Sequence, residues 1–263
     1  MNTEGLKIEN GVLIRYIGTD TEVTIPHGVT VIDESAFTGC EDIVSVVIPD
    51  SVTDIREFAF YGCSSLENII IPHGVRTIGE SAFDSCSSLK KVTIPNSVTS
   101  IGECAFQFTD LKSVVIPDSV TSIGESAFYG TSLESVYIPD SVTSIGEEAF
   151  DDCEMLIFIV CSNAVADLLD NEYHKEYTLA NFVERFRDGT DDDGVTEIWC
   201  DLILANPVSV FGVMKNNADF YRFITEKELI YPESVDDVIA ITDSAECREM
   251  LMKYKDNNTW DEF

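Results

Sequence analysis

Positive charge is what this 263-residue chain lacks most: 16 Lys and Arg stand against 48 Asp and Glu, a formal net charge of −32. A surface this acidic repels nucleic-acid phosphates and anionic lipid headgroups at long range, so neither is an expected partner. Long apolar runs are missing too. The densest, Met155 to Cys161, is too short to cross a bilayer, and membrane insertion is not expected. The first residues, MNTEGLKIENGVL, have neither the basic start nor the apolar stretch of an export signal. That places the chain in the cytoplasm as the sequence stands, with the cell surface or secretion as the alternative if a leader has been removed.

Histidine is scarce, with three in the chain. His27 and His73 fall at equivalent points of the pattern described below, but two units apart, roughly 10 Å by strand spacing, too far to share a substrate proton. There is no Gly-rich phosphate loop, no G-x-S-x-G elbow and no H-E-x-x-H pair. No catalytic residue is therefore nominated, and no cofactor is implied.

Eight cysteines are present without metal-ligand spacing. Cys40, Cys63, Cys86 and Cys153 each follow a recurrent phenylalanine by three residues; before Leu111 and Leu133, where the loop is shorter, that cysteine is missing. Equivalent positions stacked in a line do not make a tetrahedron, which argues against a metal. Neighbouring Cα atoms about 5 Å apart admit a disulfide in principle, but buried free thiols that fill space are the expectation. Cys104, Cys161, Cys200 and Cys247 follow no spacing. The acidic stretch Asp188 to Glu197 fails as a calcium loop: aligning Gly194 with the loop glycine puts Gly189 and Cys200 at ligand positions, so a solvated loop is expected.

What the chain does have is repetition. IPDSVTSIGESAFYG from Ile116 returns as IPDSVTSIGEEAFDD from Ile138, and Ile-Pro pairs also begin at Ile25, Ile48, Ile71 and Ile94. An Ala-Phe pair keeps the same step, ending at Phe37, Phe60, Phe83, Phe106, Phe128 and Phe150, each pair preceded four residues earlier by an isoleucine. Periods of 22 and 23 residues this strict predict a solenoid. In the unit from Leu66, alternation turns Ile69 and Ile71 inward and leaves Asn68 and Ile70 outward, and Pro72 ends the strand. Val75, Ile78, Ala82 and Phe83 follow on a looser return segment, where Gly79 permits a tight backbone. Stacking puts the phenylalanines in one column and each strand beside its neighbour in a parallel sheet.

These units resemble the BspA-like (Treponema pallidum type) leucine-rich repeats, which read SLxxVxIPxSVTSIGxxAFxxC; the likeness covers about residues 8 to 161. It implies a right-handed leucine-rich-repeat arc with its parallel sheet on the concave face. Relatives of this kind are commonly bacterial and often adhesion-type surface or secreted proteins. Cys161-Ser162 in place of Ile-Pro suggests where the repeats end.

Beyond Asn163 the rhythm stops, and breakers separate short amphipathic segments. Thr178 is placed to cap LANFVERFRD, Thr196 to cap EIWCDLILAN, and Asp243 with Glu246 to form a capping box before CREMLMKYK. The division expected is a solenoid of about seven units over 1–163, the first and last atypical, and a small all-helical domain over 164–263. Phe223 to Lys255 is similar to a single ankyrin-like helix pair, which implies interaction.

The function expected is a non-catalytic module that binds a protein or peptide on the concave face; a structural or adhesive spacer of a bacterial surface is the alternative. Outward strand positions nominate Val47, Ile70, Lys91, Val115, Tyr137 and Phe158 as partner-binding, with Tyr137 the aromatic anchor. A monomer is expected. Glu34, Glu57, Glu80, Glu103, Glu125 and Glu147 share one phase, each expected at the start of a short helical turn through Ala-Phe. The bare edge of the last strand requires a cap, for which the helical domain is the candidate.

Overall fold

The computed structural model describes residues 5–156, 158–171, 174, 178–188, 199, 200, 203, 204, 210, 211, 214, 217–227, 229, 230, 235–242 and 244–257. Thr196, Asp243 and all of the acidic stretch but Asp188 lie outside these residues.

The chain winds through about six turns, and each turn contributes two short strands. β1 (Leu6–Glu9) and β2 (Val12–Tyr16) form an antiparallel hairpin that opens the solenoid. Three-residue strands then alternate with two-residue strands. The longer ones are β3 (Glu22–Thr24), β5 (Ser45–Val47), β7 (Asn68–Ile70), β9 (Lys91–Thr93), β11 (Ser113–Val115), β13 (Ser135–Tyr137) and β15 (Phe158–Val160). The shorter ones are β4 (Val31–Ile32), β6 (Asp54–Ile55), β8 (Thr77–Ile78), β10 (Ser100–Ile101), β12 (Ser122–Ile123) and β14 (Ser144–Ile145). The longer strands pair in parallel as β3-β5-β7-β9 and β11-β13-β15, and the shorter ones continue from the hairpin as a sheet of order β1-β2-β4-β6-β8-β10-β12-β14. The return segment is thus a second hydrogen-bonded ladder rather than a loose crossing.

Between the ladders lies a continuous core. Rings of Phe37, Phe60, Phe83, Phe106, Phe128 and Phe150 stack with centroids 4.8 to 5.4 Å apart and planes within 10° of parallel. Tyr16 starts this spine from the hairpin, tilted 31° against Phe37. The glycine at Gly79, Gly102, Gly124 and Gly146 is set by close approach: a Cβ there would lie 2.3 to 2.7 Å from backbone of the preceding turn. At the equivalent points of the first two units, Asp33 and Arg56 keep side chains and form an ion pair.

The Ala-Phe segment is not the helical turn expected. Left-handed residues flank it on both sides: Ser35, Phe58, Ser81, Cys104, Ser126 and Glu148 on one, with φ from 49 to 58°, and Gly39, Gly62, Ser85, Phe108, Gly130 and Asp152 on the other, with φ from 53 to 70°. This conformation aims backbone N–H groups along the solenoid axis. Ser81 donates to the Glu103 carbonyl at 2.8 Å, Phe83 to Ala105 at 2.9 Å and Ser85 to Gln107 at 2.9 Å, and the same three bonds recur from turn to turn. The stacked glutamates therefore sit on a ladder of backbone bonds, with no helix dipole beneath them.

The ladder ends where the repeats end. Glu148 finds no further turn, and its N–H donates to Oδ2 of Asp170 at 2.9 Å. Asn171 donates to Oδ1 of Asp151 at 2.9 Å, and the ring of His174 lies 3.6 Å from the same oxygen. The described helices beyond the strands are α1 (Asn163–Ala166), α2 (Leu179–Arg187), α3 (Ala218–Glu226), α4 (Val235–Ile241) and α5 (Ala245–Asn257). Val165 of α1 and Leu169 join the repeat core. Thr178 caps α2 as its sequence suggests, its Oγ1 accepting the Asn181 N–H at 3.1 Å, and Asn217 caps α3. At α5 the hydroxyl of Ser244 accepts the Cys247 N–H at 3.4 Å.

Candidate partner-binding face

Alternation sets the face of the longer sheet. The middle residue of a longer strand, such as Val46, Ile69, Val114 and Val136, is buried in the core, with Val92 of β9 half-buried against it, so its two neighbours stand outward. From β5 to β11 the outward residues are Ser45, Val47, Asn68, Ile70, Lys91, Thr93, Ser113 and Val115. Val47 is 59% exposed, Ile70 71% and Val115 50%, and Lys91 is also exposed. Register pairs Asn68 with Lys91 and Ile70 with Thr93, which puts the lysine one strand from the isoleucine.

Tyr137 and Phe158, nominated from the same alternation, require correction. Tyr137 is 3% exposed and Val160 is fully buried; both belong to the cluster formed by Leu179, Phe182, Val183, Trp199 and Phe223. Phe158 is half-buried, with its ring edge-on to Trp199 at 5.2 Å. The helical region covers this end of the face, and burial pushes the Tyr137 phenol above its ordinary pKa. The covering is also made by backbone, because Ile159 forms a parallel bridge with Thr178 on the open edge of β15. Tyr137 is an anchor inside the molecule, not for a partner.

Alternation within strands misses Lys90 and Lys112, which precede β9 and β11 by one residue. Their signal is the distribution of charge: of the seven bases among residues 1–163, three lie between 90 and 112. Lys112 pairs with Asp110 at 3.3 Å. Burial would raise the Asp110 carboxyl, but bonds to Ser132 and Lys112 and the field of Lys90 outweigh it and hold the group below its usual range. At this point the sheet is interrupted, since β9 and β11 are not paired, and here the period falls from 23 to 22 residues.

The cysteine column does structural work. Sγ of Cys63 donates to the Phe37 carbonyl at 3.2 Å, Cys86 to Phe60 at 3.1 Å and Cys153 to Phe128 at 3.1 Å, and all eight thiols are free. In the two shortened units the position is filled by Thr109 and Thr131, both buried; Thr109 donates to the Phe106 carbonyl at 2.9 Å and Thr131 bonds the Cys153 sulfur at 3.0 Å. Burial pushes the Cys40 thiol up to about 11 and raises Cys63 and Cys153 as well, Cys63 first through its bond to Cys86, so these groups stay protonated. Among the described residues no group of His, Cys, Asp and Glu is placed to hold a metal ion. The glutamate column is solvent-exposed, and its field, added to burial, raises the Cys104 thiol.

A buried Leu or Ile precedes each longer strand from β5 to β15, at Ile43, Leu66, Leu89, Leu111, Leu133 and Leu156, and the units close on one another through two ladders. Such a molecule is a leucine-rich-repeat solenoid. More narrowly, the chain belongs to the family of BspA type leucine rich repeat regions, six copies of which match residues 16–131 and 88–183, more than half its length. The match ends well before residue 223, so the ankyrin-like likeness of Phe223 to Lys255 rests on its sequence pattern alone.

Among solved structures the chain is similar to a leucine-rich repeat protein from Bacteroides ovatus, at 35% identity and a TM-score of 0.52 over 60% of this chain and 44% of that one. It is similar also to a leucine rich cell surface protein from Faecalibacterium prausnitzii, at 34% identity and 0.47 over 61% and 51%, and to the T. pallidum leucine rich repeat protein, at 30% and 0.45 over 60% and 70%. The chain spans about half the length of the first two. No curated protein matches it.

Proposed function

We propose that the chain is a non-catalytic binding module and that the uncovered part of its strand face, Val47, Ile70, Lys91 and Val115, receives a protein or peptide partner. Three exposed aliphatic side chains in one outward column, on β5, β7 and β11, of a markedly acidic protein carry the reading. Isolated exposed valines need no explanation, whereas a row of them tends to mark a contact surface. Proteins of this family are generally interaction or surface modules, and often cell-surface proteins, which favours the surface or secreted alternative over the cytoplasmic one. The unit acts as a monomer that engages its partner through one face.

The test is a displayed library of random peptides selected on the intact chain and on Ile70→Asp, with melting curves for both. Enrichment by the native chain that is lost in an equally stable Ile70→Asp protein is the expected result. Enrichment indifferent to residue 70 sinks the assignment, and no enrichment at all returns the chain to the spacer reading.

A further inference from the structure

Beyond Glu22 on β3, the charge on this face runs against the rest of the molecule. Of the outward residues on β5, β7, β9 and β11, none is acidic and one, Lys91, is charged, in a chain with 48 Asp and Glu and a net charge of −32. Lys91 stands on β9, the strand between β7 and β11, in register with Asn68 and so diagonal to Ile70, whose own partner is Thr93. Among the described residues it makes no ion pair; Lys90 beside it makes none either, whereas Lys112 is held by Asp110. Acids return at the rim: Glu67 and Glu134 occupy, on their own units, the point that Lys90 and Lys112 occupy on theirs, and both are exposed.

From this arrangement we infer that the partner presents a short extended protein segment in which one carboxylate is flanked by aliphatic side chains, the carboxylate on Lys91 and the aliphatic groups on Ile70 and Val115. The inference rests on the reading above that this face is the binding site. β7 and β11 are two strand spacings apart, roughly 10 Å, within reach of side chains at alternate positions i, i+2 and i+4 of an extended chain, which share one face. The aliphatic stem of Lys91 extends the apolar strip while its ammonium lies ready for a single acid. The exposed Glu67 and Glu134, which precede β7 and β13 at the rim, repel a second or third negative group. A polyanion such as nucleic acid or an anionic lipid surface is therefore excluded by the same charges that leave room for one carboxylate.

Fluorescence anisotropy with three labelled peptides tests this, one carrying a Leu-Ser-Glu-Ser-Leu core, one Leu-Ser-Lys-Ser-Leu and one Leu-Ser-Ser-Ser-Leu, each in a neutral Gly and Ser frame, so that the three side chains that matter share one face of an extended chain. The intact chain should bind the glutamate peptide about threefold to tenfold more tightly than the serine peptide, with the lysine peptide weakest. Lys91→Met keeps the stem and removes the charge, so it should bring the glutamate and serine peptides to equal affinity while leaving the serine peptide where it was. Ile70→Asp should weaken all three. Equal binding of the three peptides, still lost in Ile70→Asp, overturns the carboxylate inference and leaves the binding face intact. No binding by any peptide, with no selection dependent on residue 70, overturns both. Single-stranded DNA or phosphatidylserine vesicles bound more tightly than the glutamate peptide, and released by Lys91→Met, would also overturn it.

Discussion

The two halves of this molecule make a hydrophobic core in opposite ways. In the repeats one phenylalanine is copied at a fixed interval, and the copies meet as parallel rings 4.8 to 5.4 Å apart. In the helical region the aromatics come from unrelated positions and meet at many angles, with Phe182 stacked on Trp199 at 24° but edge-on to Phe223 at 90°, and Phe211 against Phe220 at 73°. A copied core is local, because each turn touches only the turns before and after it. A core built once binds distant segments together, and here it also takes in Tyr137 and Val160 from the repeats. The second kind of core is what stops the first.

Removing the helical region gives the largest expected effect. A chain ended after Asn163 bares Tyr137, Val160 and the edge of β15, and should be insoluble or oligomeric by size exclusion with light scattering. A monodisperse truncation with an unchanged melting temperature would show that the repeats need no cover. Next come single rings. Phe83→Ala and Phe220→Ala each delete a fully buried ring and should cost about 3–5 kcal/mol, but hydrogen exchange should separate them. Loss at Phe83 should open the turns on either side of it, whereas loss at Phe220 should open the helices together with β13 and β15 and leave β5 and β7 protected. Identical exchange maps would contradict two cores of different kind.

Legibility in the sequence follows the same division. Period 22 and 23, the inward isoleucines and the phenylalanine column were all readable because repetition multiplies a weak signal. Glycine at Gly79 was readable as a tight place, although its cause is backbone approach from the previous turn. What stayed hidden lay between units. Left-handed Ser81 and Cys104 are not residues that announce such a conformation, and a helical turn was the natural reading of Gly-Glu-Ser-Ala-Phe. Thr109 and Thr131 hid in the cysteine column because a hydroxyl and a thiol look unlike in sequence while both fill this buried place, the thiol of Cys86 bonding the phenylalanine carbonyl of the preceding turn and the Thr109 hydroxyl that of its own. Tyr137 was misread for a related reason: alternation states which side of a sheet a residue takes, not whether another part of the chain lies there. In the helical region caps such as Thr178 could be found, but the partners of each aromatic could not.

Two smaller effects probe the junction. Asp170→Ala leaves the Glu148 N–H without its acceptor, and the loss should be about 0.5–1.5 kcal/mol by thermal or denaturant unfolding. A neutral substitution would mean that solvent serves the last turn equally well. The smallest effect is a pH dependence at His174. Burial lowers its pKa below the ordinary 6.5, against the pull of Asp151 and Asp170. The folded protein therefore holds fewer protons there than the unfolded chain, and this group's contribution to stability is lost as pH falls below about 6.5. The melting temperature of His174→Gln, compared with the native chain from about pH 7 to about pH 5, should fall less steeply; parallel curves would remove His174 from the junction's balance.

The ladder beside the phenylalanines has a direction: every turn gives its N–H groups forward and receives on its carbonyls from behind. Interior turns are therefore interchangeable cassettes, since each offers the next what it was itself offered, whatever side chains it carries. Only the final turn is unique, because its acceptor is the carboxylate of Asp170 rather than another backbone. Length is then the property this architecture leaves free. A copied unit placed between two interior turns would lengthen the exposed strand face by one strand and leave both ends as they are.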